Sequence, residues 1–433
     1  MLSVIGLITV LVVVGILISG KVSPIVAMTI IPIIGASIAG FAIADIGEFY
    51  LAGLDKVMNV VAMFVFAVIF FGIMRDVGLF NPLVERMIKI TKGNIIAVVM
   101  ATAIIGVITS LDAQAASTFL IAVPALLPLY KKLNMNPYLL ILLLAASIGV
   151  LNMMPWSGPI VRASAVTGID ATELWRPLIT VQIIAIIVLL VMAFILGVME
   201  KRRLDKLGLA GTLEAAEPKE GHEYEGLPAP RNFWPNVILT AIVIGVLIWG
   251  IIPPAFTFMI AVSIALPLNF RSTKEQSETI KEHAPGALQM AAITLAAGSF
   301  LGIVTETGML DAMAESLAHL LPASVVPNLH LIVGFFGVPL ELVTSTDAYY
   351  FALLPVVDSI VSPYGVESST VVHALTIGDN LGTMVSPFAP ALWLGLGLAG
   401  LEMGKHIKYS LFWLWGFSTV VYLTTIAIGI IPV

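Results

Sequence analysis

The chain has 433 residues, of which 59% are hydrophobic and only 11% are charged, and its mean hydropathy is +1.04. Soluble domains carry about 25% charged residues, so this composition excludes a soluble globular protein and indicates a polytopic membrane protein. The absence of cysteine excludes disulfides and cysteine nucleophiles. The sequence lacks the basic patch with interleaved aromatics that would indicate nucleic-acid binding.

Apolar runs of about 20 residues predict membrane-crossing helices. In the first half, uninterrupted runs lie near 2–19, 23–44, 57–74 and 174–199. The first run lacks a basic region and a small-residue cleavage site, which favours a retained span over a signal peptide. A charged amphipathic stretch covers 75–92. We interpret 94–131, with its polar tip near residue 112, as a re-entrant hairpin because each arm is short for a crossing. We interpret 136–170, which is broken near its middle, as a discontinuous helix.

The second half repeats this order of elements. Uninterrupted runs lie near 234–252, 255–269, 285–305 and 408–431. An amphipathic stretch at 310–322 precedes a second predicted hairpin at 328–361, and a second discontinuous helix covers 367–400. The polar segment 200–232 divides the two halves and is predicted to be a linker.

Each half therefore has five predicted crossings and one hairpin. An odd number of crossings turns the second half upside down relative to the first, and inverted repeats with discontinuous helices are typical of secondary transporters. We predict an all-α polytopic membrane protein made of two inverted five-helix repeats, 1–199 and 233–433. Each repeat contains one re-entrant hairpin and one discontinuous transmembrane helix.

The distribution of lysine and arginine predicts the orientation. With the N-terminus placed outside, all of the 21 Lys and Arg residues except Lys56, Arg162 and Arg176 fall on one side. By the positive-inside rule that side is cytoplasmic. We therefore predict a multi-pass protein of the cell's inner (plasma) membrane with both termini outside and residues 200–232 in the cytoplasm. The first hairpin then enters from the cytoplasm and the second from outside.

The helix breaks are the predicted functional site. A broken helix exposes N–H groups that attract anions, while its C=O groups and nearby carboxylates attract cations. Four breaks that meet in mid-membrane would form one central site. The candidate substrate-binding residues are the small polar residues and one glycine at these breaks: Ser110, Ser117, Thr118, Asn152, Ser157, Gly158, Thr344, Ser345, Thr346, Asn380, Thr383 and Ser386.

Asp112, Asp347 and Asp379 lie at three of the four breaks and are the candidate coupling-ion residues. Acids inside a membrane usually have a function: they bind a cation, or carry a proton because burial favours the neutral form. The alternative is that they only cap half-helices. His373, six residues before Asp379, is either a proton relay or a helix-interior histidine with a satisfied hydrogen bond.

Four other side chains lie near the breaks or near predicted membrane ends. Arg162 either clamps a carboxylate or lies near the outer surface, and we favour the surface because the predicted orientation places it there. Glu306 and Glu341 are near predicted membrane ends and are expected to reach water. Trp156 either lines a cavity or packs in the interior.

The residues at these breaks resemble the citrate–metal:proton symporter family of the ion transporter superfamily. The matching stretches are 111–112, 117–120, 123–131, 135–137, 154–159, 347–351, 386–387 and 397–402. The resemblance implies a homodimeric, elevator-type carrier that moves citrate, often as a divalent-metal complex, driven by protons. If a metal–citrate complex is carried, Asp112 and Asp347 are the candidate metal contacts.

The sequence differs from the family pattern at three places. Gln114 stands where a second acid is common, Thr346 stands where an asparagine is usual, and 379–383 replaces a Gly-Gln-Pro-Val-His stretch. These differences lie where ligand and metal are expected. They make coupling to Na⁺ through Asp379 and Asn380 an alternative to coupling to H⁺.

We predict a symporter of a small carboxylate anion, citrate in the first place, coupled to H⁺ or Na⁺. We predict neither a catalytic residue nor a resident cofactor. A cation/proton antiporter using the same acids is the main alternative. A channel fits discrete binding sites less well. An intramembrane aspartyl protease using Asp347 and Asp379 is a remote alternative. Its Gly-x-Gly-Asp motif is incomplete here, because Thr376 replaces the first glycine.

Overall fold

The structure is a computed structural model that describes residues 1–19, 21–91, 94–208, 229–320, 322 and 325–432. Every regular element within these ranges is helical, which confirms the predicted all-α class. Five segments are long and apolar enough to cross a membrane: Ile43–Asp76, Ala171–Lys206, Thr273–Glu306, Ser368–Ala399 and Met403–Ala427. Shorter apolar helices accompany them, and the count of ten crossings stays a prediction.

The helices of the first half follow the predicted order. They are α1 (Leu2–Ser19), α2 (Pro24–Ile38), α3 (Ile43–Asp76), α4 (Asn81–Thr91), α5 (Ile95–Thr109), α6 (Ala115–Lys132), α7 (Pro137–Leu151), α8 (Gly158–Thr167) and α9 (Ala171–Lys206). Their starts are set by local chemistry, because Asn94, Asn136 and Asp170 accept hydrogen bonds from the first turns of α5, α7 and α9.

The second half is more finely divided. Its helices are α10 (Phe233–Trp249), α11 (Pro254–Asn269), α12 (Thr273–Glu306), α13 (Met309–Leu320), α14 (Leu329–Phe335), α15 (Gly337–Glu341), α16 (Thr346–Ala348), α17 (Leu354–Val361), α18 (Ser368–Asn380), α19 (Pro390–Ala399) and α20 (Met403–Ala427). A π-helical turn, Tyr349–Leu353, joins α16 to α17 within the second hairpin.

Three predicted boundaries are wrong. Helices α3 and α12 each have 34 residues and begin about 12 to 14 residues before the predicted spans at 57–74 and 285–305. Helix α9 continues to Lys206, into the predicted linker. Charged residues end an apolar run but leave the backbone hydrogen bonds intact, so the helices extend beyond the apolar stretch. Most of the linker, 209–228, lies outside the described residues.

Helices α3 and α12 form an antiparallel central pair. Near one end, Gly53 packs so closely that an added Cβ would lie 2.0 Å from the Gly298 carbonyl oxygen. Near the other end, Asp76 Oδ2 bonds His283 Nε2 at 2.6 Å. Helix α2 packs on α12, and α11 packs on α3. Small residues at such crossings let the backbones approach, which drives helix association in membranes.

The hairpins and broken helices form a second body against this pair. Helix α5 packs on α7 and α9, while α14 packs on α18, and α6 packs along α19. Half-helix α8 contacts both α3 and α12, so it joins the two bodies. The outer face of α9 exposes apolar side chains one turn apart, as a lipid-facing helix does: Ile183, Ile187, Val191 and Phe194.

Candidate functional site

The tip of the first hairpin is a tight polar turn between α5 and α6. Ala113 adopts the left-handed backbone conformation (φ 53°), which is uncommon for residues that carry a Cβ. The Asp112 carboxylate accepts a hydrogen bond from the Gln114 N–H at 2.9 Å. The buried Ser110 and Thr118 hydroxyls bond each other across the turn at 2.9 Å. Three predicted site residues therefore lie side by side.

Arg75, the penultimate residue of α3, holds this tip. Its Nη1 donates to the Ser117 hydroxyl at 3.0 Å. Its charge acts on the nearby Asp112 carboxylate. Arg75 was not predicted as a site residue, because it is the first residue of the charged amphipathic stretch 75–92. Nothing in that stretch distinguishes a site residue from a solvent-exposed one.

The first helix break separates α7 from α8. Trp156 is buried and stacks on Phe71, with the ring centroids 4.8 Å apart. Its indole N–H donates to the Leu111 carbonyl of the first hairpin tip at 3.1 Å. The Ser157 hydroxyl donates to the Asn152 carbonyl and closes the break. Trp156 therefore packs in the interior, and it connects the first break to the first hairpin.

The prediction that Arg162 lies at the outer surface is wrong. Its side chain on α8 is 10% exposed, and its Nε and Nη2 contact Asp347 Oδ1 at 2.8 and 2.7 Å. Gly158, one turn earlier, leaves room for the guanidinium, since an added Cβ would lie 2.5 Å from Nη1. A buried charge needs a partner, so Arg162 takes Asp347. The candidate coupling acid Asp347 is half of an ion pair.

The tip of the second hairpin connects α15 to α16. The Thr344 hydroxyl donates to a main-chain carbonyl one turn earlier at 2.9 Å. Ser345 caps α16 by accepting the Ala348 N–H at 3.2 Å. The Thr346 hydroxyl donates to Glu341 Oε1 at 3.3 Å. The hydroxyls of this tip are therefore partly used in shaping the turn.

Glu341 is a site residue that the sequence analysis missed. The expectation that it reaches water is wrong, because it is 1% exposed at the end of α15. The Ser386 hydroxyl at the second break donates to its main-chain carbonyl at 2.6 Å. The five-residue helix α15 turns this acid inward. The one sequence signal for Glu341 was its position five residues before Thr346 at the hairpin tip. Position along the chain does not show whether a side chain is buried.

The second helix break separates α18 from α19. Asp379 and Asn380 are fully buried, and their side-chain oxygen and nitrogen atoms have no hydrogen-bond partner of normal geometry in the described chain. The Thr383 hydroxyl donates to the Asp379 main-chain carbonyl at 3.3 Å. The break therefore presents an acid and an amide whose polar atoms remain available.

His373 lies on a different face of α18 from Asp379. Its Nε2 lies 2.9 Å from the Leu174 carbonyl of α9, and the ring is buried. This contact matches the structural interpretation of His373, a helix-interior histidine with a satisfied hydrogen bond. The proton-relay role has no contact with Asp379 to support it.

Contacts connect the two hairpin tips and the two helix breaks. The first break reaches the first hairpin through Trp156 and the second hairpin through Arg162. It meets the second break where Gly149 lies against the Asn380 carbonyl, so closely that an added Cβ would be 2.5 Å away. The second break reaches the second hairpin through Ser386. The polar interruptions therefore form one continuous site.

The site can attract both signs of charge. No side chain caps the N-termini of α6 and α8, so their first N–H groups favour an anion. Beside the second hairpin tip is a cavity of about 320 Å³ with a mixed polar and apolar lining: Leu17, Lys21, Val22, Ser23, Pro24, Ser345, Asp347 and Phe388. The cavity is large enough for a small polar ligand, which fits the size range of such sites.

The aspartyl protease alternative fails on geometry. Asp347 pairs with Arg162, whereas the Asp379 carboxyl faces Glu341. The two aspartates required for that chemistry therefore have different partners.

Comparisons with known proteins identify the family to which the chain belongs. A family model described as "Citrate transporter" matches residues 2–378. The chain is 34% identical over 431 residues to the "Citrate transporter" of Bacillus subtilis (strain 168), covering 100% of both chains. It is 32% identical over 428 residues to the "Mg(2+)/citrate complex secondary transporter" of the same organism, covering 99% of this chain and 98% of that protein.

A solved structure shares the fold. The crystal structure of the Alcanivorax borkumensis YdaH transporter matches with a TM-score of 0.60 at 14% identity, over 88% of this chain and 89% of that one. The resemblance drawn from the sequence motifs is confirmed by the family model. Since that model spans most of the sequence and two relatives exceed 30% identity over nearly its full length, the chain belongs to the citrate transporter family and is a membrane transporter, not an enzyme.

Proposed function

We propose that this chain is a secondary active symporter that carries citrate, free or complexed with a divalent metal, in company with H⁺ or Na⁺. The observation that carries this proposal is the set of contacts that connects two hairpin tips and two helix breaks beside buried charges. The names of the two Bacillus subtilis relatives support citrate as the substrate, and one supports Mg²⁺ as its companion.

Citrate would be bound through its carboxylates. The uncapped starts of α6 and α8 offer main-chain N–H groups, as anion sites at helix N-termini do. Ser157 and the hydroxyls of the two tips would orient the anion. Lys21 in the cavity lining brings a positive charge to this side of the site. A divalent metal would travel as cargo on the citrate, with Asp112 as a candidate contact.

Movement would follow the elevator scheme. The antiparallel α3–α12 pair would be the static scaffold, and the hairpins with the broken helices would move against it. The matched packing of α2 on α12 and of α11 on α3 supports two inverted repeats, 1–199 and 233–433. We also propose a homodimer in the plasma membrane with both termini outside. In that orientation Lys21 is cytoplasmic, so the cavity beside Asp347 opens inward.

Uptake into proteoliposomes tests this function. We expect radiolabelled citrate to accumulate against its gradient when a pH or Na⁺ gradient is imposed, and Mg²⁺ to change the rate if the complex is carried. Liposomes without protein are the control. Cation flux driven by a proton gradient without citrate would favour the antiporter instead, and absence of citrate uptake under every gradient would reject the proposal.

Asp112→Asn is expected to abolish gradient-driven accumulation and leave expression intact. The amide oxygen of asparagine can still accept the Gln114 N–H, so the turn keeps its shape while the charge is lost. Accumulation and its dependence on pH would be measured for wild type, Asp112→Asn and the exposed-acid control Glu402→Gln. An Asp112→Asn variant with unchanged accumulation and an unchanged pH profile would remove Asp112 from coupling.

A further inference from the structure

Glu341 and Asp379 form a buried pair of acids. Their side chains are 1% and 0% exposed, and the two carboxyl groups lie close enough to interact. Close packing of backbones brings them together, since an added Cβ on Gly378 would lie 1.8 Å from the Gly334 carbonyl oxygen. Gly337, at the start of α15, also packs on this backbone, since an added Cβ would lie 2.5 Å from the Gly378 carbonyl carbon.

The π-helical turn adds a third group. It directs the Tyr350 hydroxyl toward Asp379, next to Thr376. Several buried polar atoms here lack a hydrogen-bond partner of normal geometry in the described chain: Glu341 Oε2, both Asp379 carboxylate oxygens, the Tyr350 hydroxyl and the Thr376 hydroxyl. Buried polar groups are nearly always paired, so these atoms are available to hydrogen-bond an exchangeable proton.

The surrounding charges do not neutralise the pair. Arg162 is the cation that acts on both acids, and it is already bound to Asp347. The other titratable groups that face the pair, Tyr349 and Tyr350, are neutral acids. Two carboxylates close together in an apolar interior resist simultaneous ionisation, so they hold a shared proton tightly until water or a cation reaches them, as paired acids in other proteins show.

We propose that Glu341 and Asp379 share one exchangeable proton and that this dyad is the proton-carrying site of the transporter. The inference rests on the proposed function, and it gives Asp379, one of the candidate coupling acids, a partner in Glu341. A single proton would bind between a Glu341 oxygen and an Asp379 oxygen and leave as H⁺ to the side then open, with no other bond changed.

Hydrogen bonds connect the dyad to the proposed substrate region. Thr346 at the second hairpin tip donates to Glu341 Oε1, and Ser386 at the second break donates to the Glu341 main chain. Asp347, the next residue along the tip, holds Arg162. A ligand that draws on these hydroxyls or on the arginine would change the charge felt by the dyad, which would link substrate binding to proton binding.

Two measurements test the proposal. Calorimetric titration of purified protein with citrate, in buffers of different ionisation enthalpy, counts the protons taken up on binding. At a pH alkaline enough to empty the dyad before citrate is added, we expect about one for wild type and none for the double variant Glu341→Gln/Asp379→Asn, because the shared proton belongs to the pair. Glu306→Gln, an acid that pairs with Lys56 on the partly exposed surface, should keep the wild-type count. An unchanged count in the double variant, or citrate binding that takes up Na⁺ and no proton in wild type, would overturn the proposal.

The second measurement does not depend on citrate. Infrared spectroscopy at neutral pH should show the carbonyl band of a protonated buried carboxyl group, and the double variant should lose it. The single amide variants provide the same readout if the double variant does not fold. A wild-type spectrum without that band would reject the shared proton even if citrate is transported. The band together with a failure to bind citrate would reject the proposed function and keep the protonated dyad.

Discussion

Arg162→Gln is expected to abolish transport and to lower the free energy of unfolding by about 3–5 kcal/mol, nearer the lower value because the pair is partly exposed. The substitution leaves the Asp347 carboxylate, 17% exposed, without the hydrogen bond from Arg162 Nε and the ion contact with Arg162 Nη2. The penalty comes mainly from stranding a charge in an apolar interior. The same loss would release the second hairpin tip from α8.

The apparent melting temperature of purified protein and citrate uptake would be measured together. The matched control is Arg162→Gln/Asp347→Asn, which removes both charges. We expect the double variant to recover most of the stability and little of the transport, since neutral partners need no compensation but no longer recognise an anion. Equal melting temperatures for wild type and Arg162→Gln would show that the ion pair does not support the fold.

Gly53→Ala is expected to disrupt the α3–α12 pair and to prevent accumulation of folded protein. The new methyl group would lie 2.0 Å from the Gly298 carbonyl oxygen, a main-chain atom that cannot rotate away. Overpacking costs about 1–3 kcal/mol in ordinary cores, and a backbone clash at a helix crossing belongs at or above the upper end.

Gly47→Ala is the control on the same helix, because no atom lies within 4 Å of a Cβ placed there. It should be neutral or slightly stabilising, since alanine favours a helix over glycine by about 1 kcal/mol. Monodispersity and melting temperature in detergent would be compared for the two variants. If the two variants had the same monodispersity and melting temperature, helices α3 and α12 could move apart at their crossing without loss of stability.

The helix breaks were predictable because their signals are local. Pro155, Pro159 and Pro387 remove backbone donors, and polar residues interrupt apolar runs at the same places. The structure ends α7 at Leu151 and α18 at Asn380, within the predicted broken segments. Chain-local chemistry was enough here, since a helix needs an unbroken series of donors.

Depth and partnership were not predictable from local signals. Arg162 was expected at the surface and Glu341 in water, yet both are buried. Arg162 meets Asp347 across 185 positions of sequence, and a hydropathy pattern carries no record of such a partner. The same applies to Arg75, whose contact with Ser117 joins helices that are separate in the pattern.

By itself, the sequence determined that this is an all-helical membrane protein, where its hairpins and breaks lie, and which polar residues stand at them, because these follow from hydrophobic run length and backbone donors. The tertiary structure alone decided which charges pair and which stay open. Asp347 forms an ion pair with Arg162, whereas the acid Asp379 lies next to another acid, Glu341. The energy of a buried charge depends on what lies within a few ångströms in space, and close glycine contacts such as Gly334 with Gly378 set those neighbours.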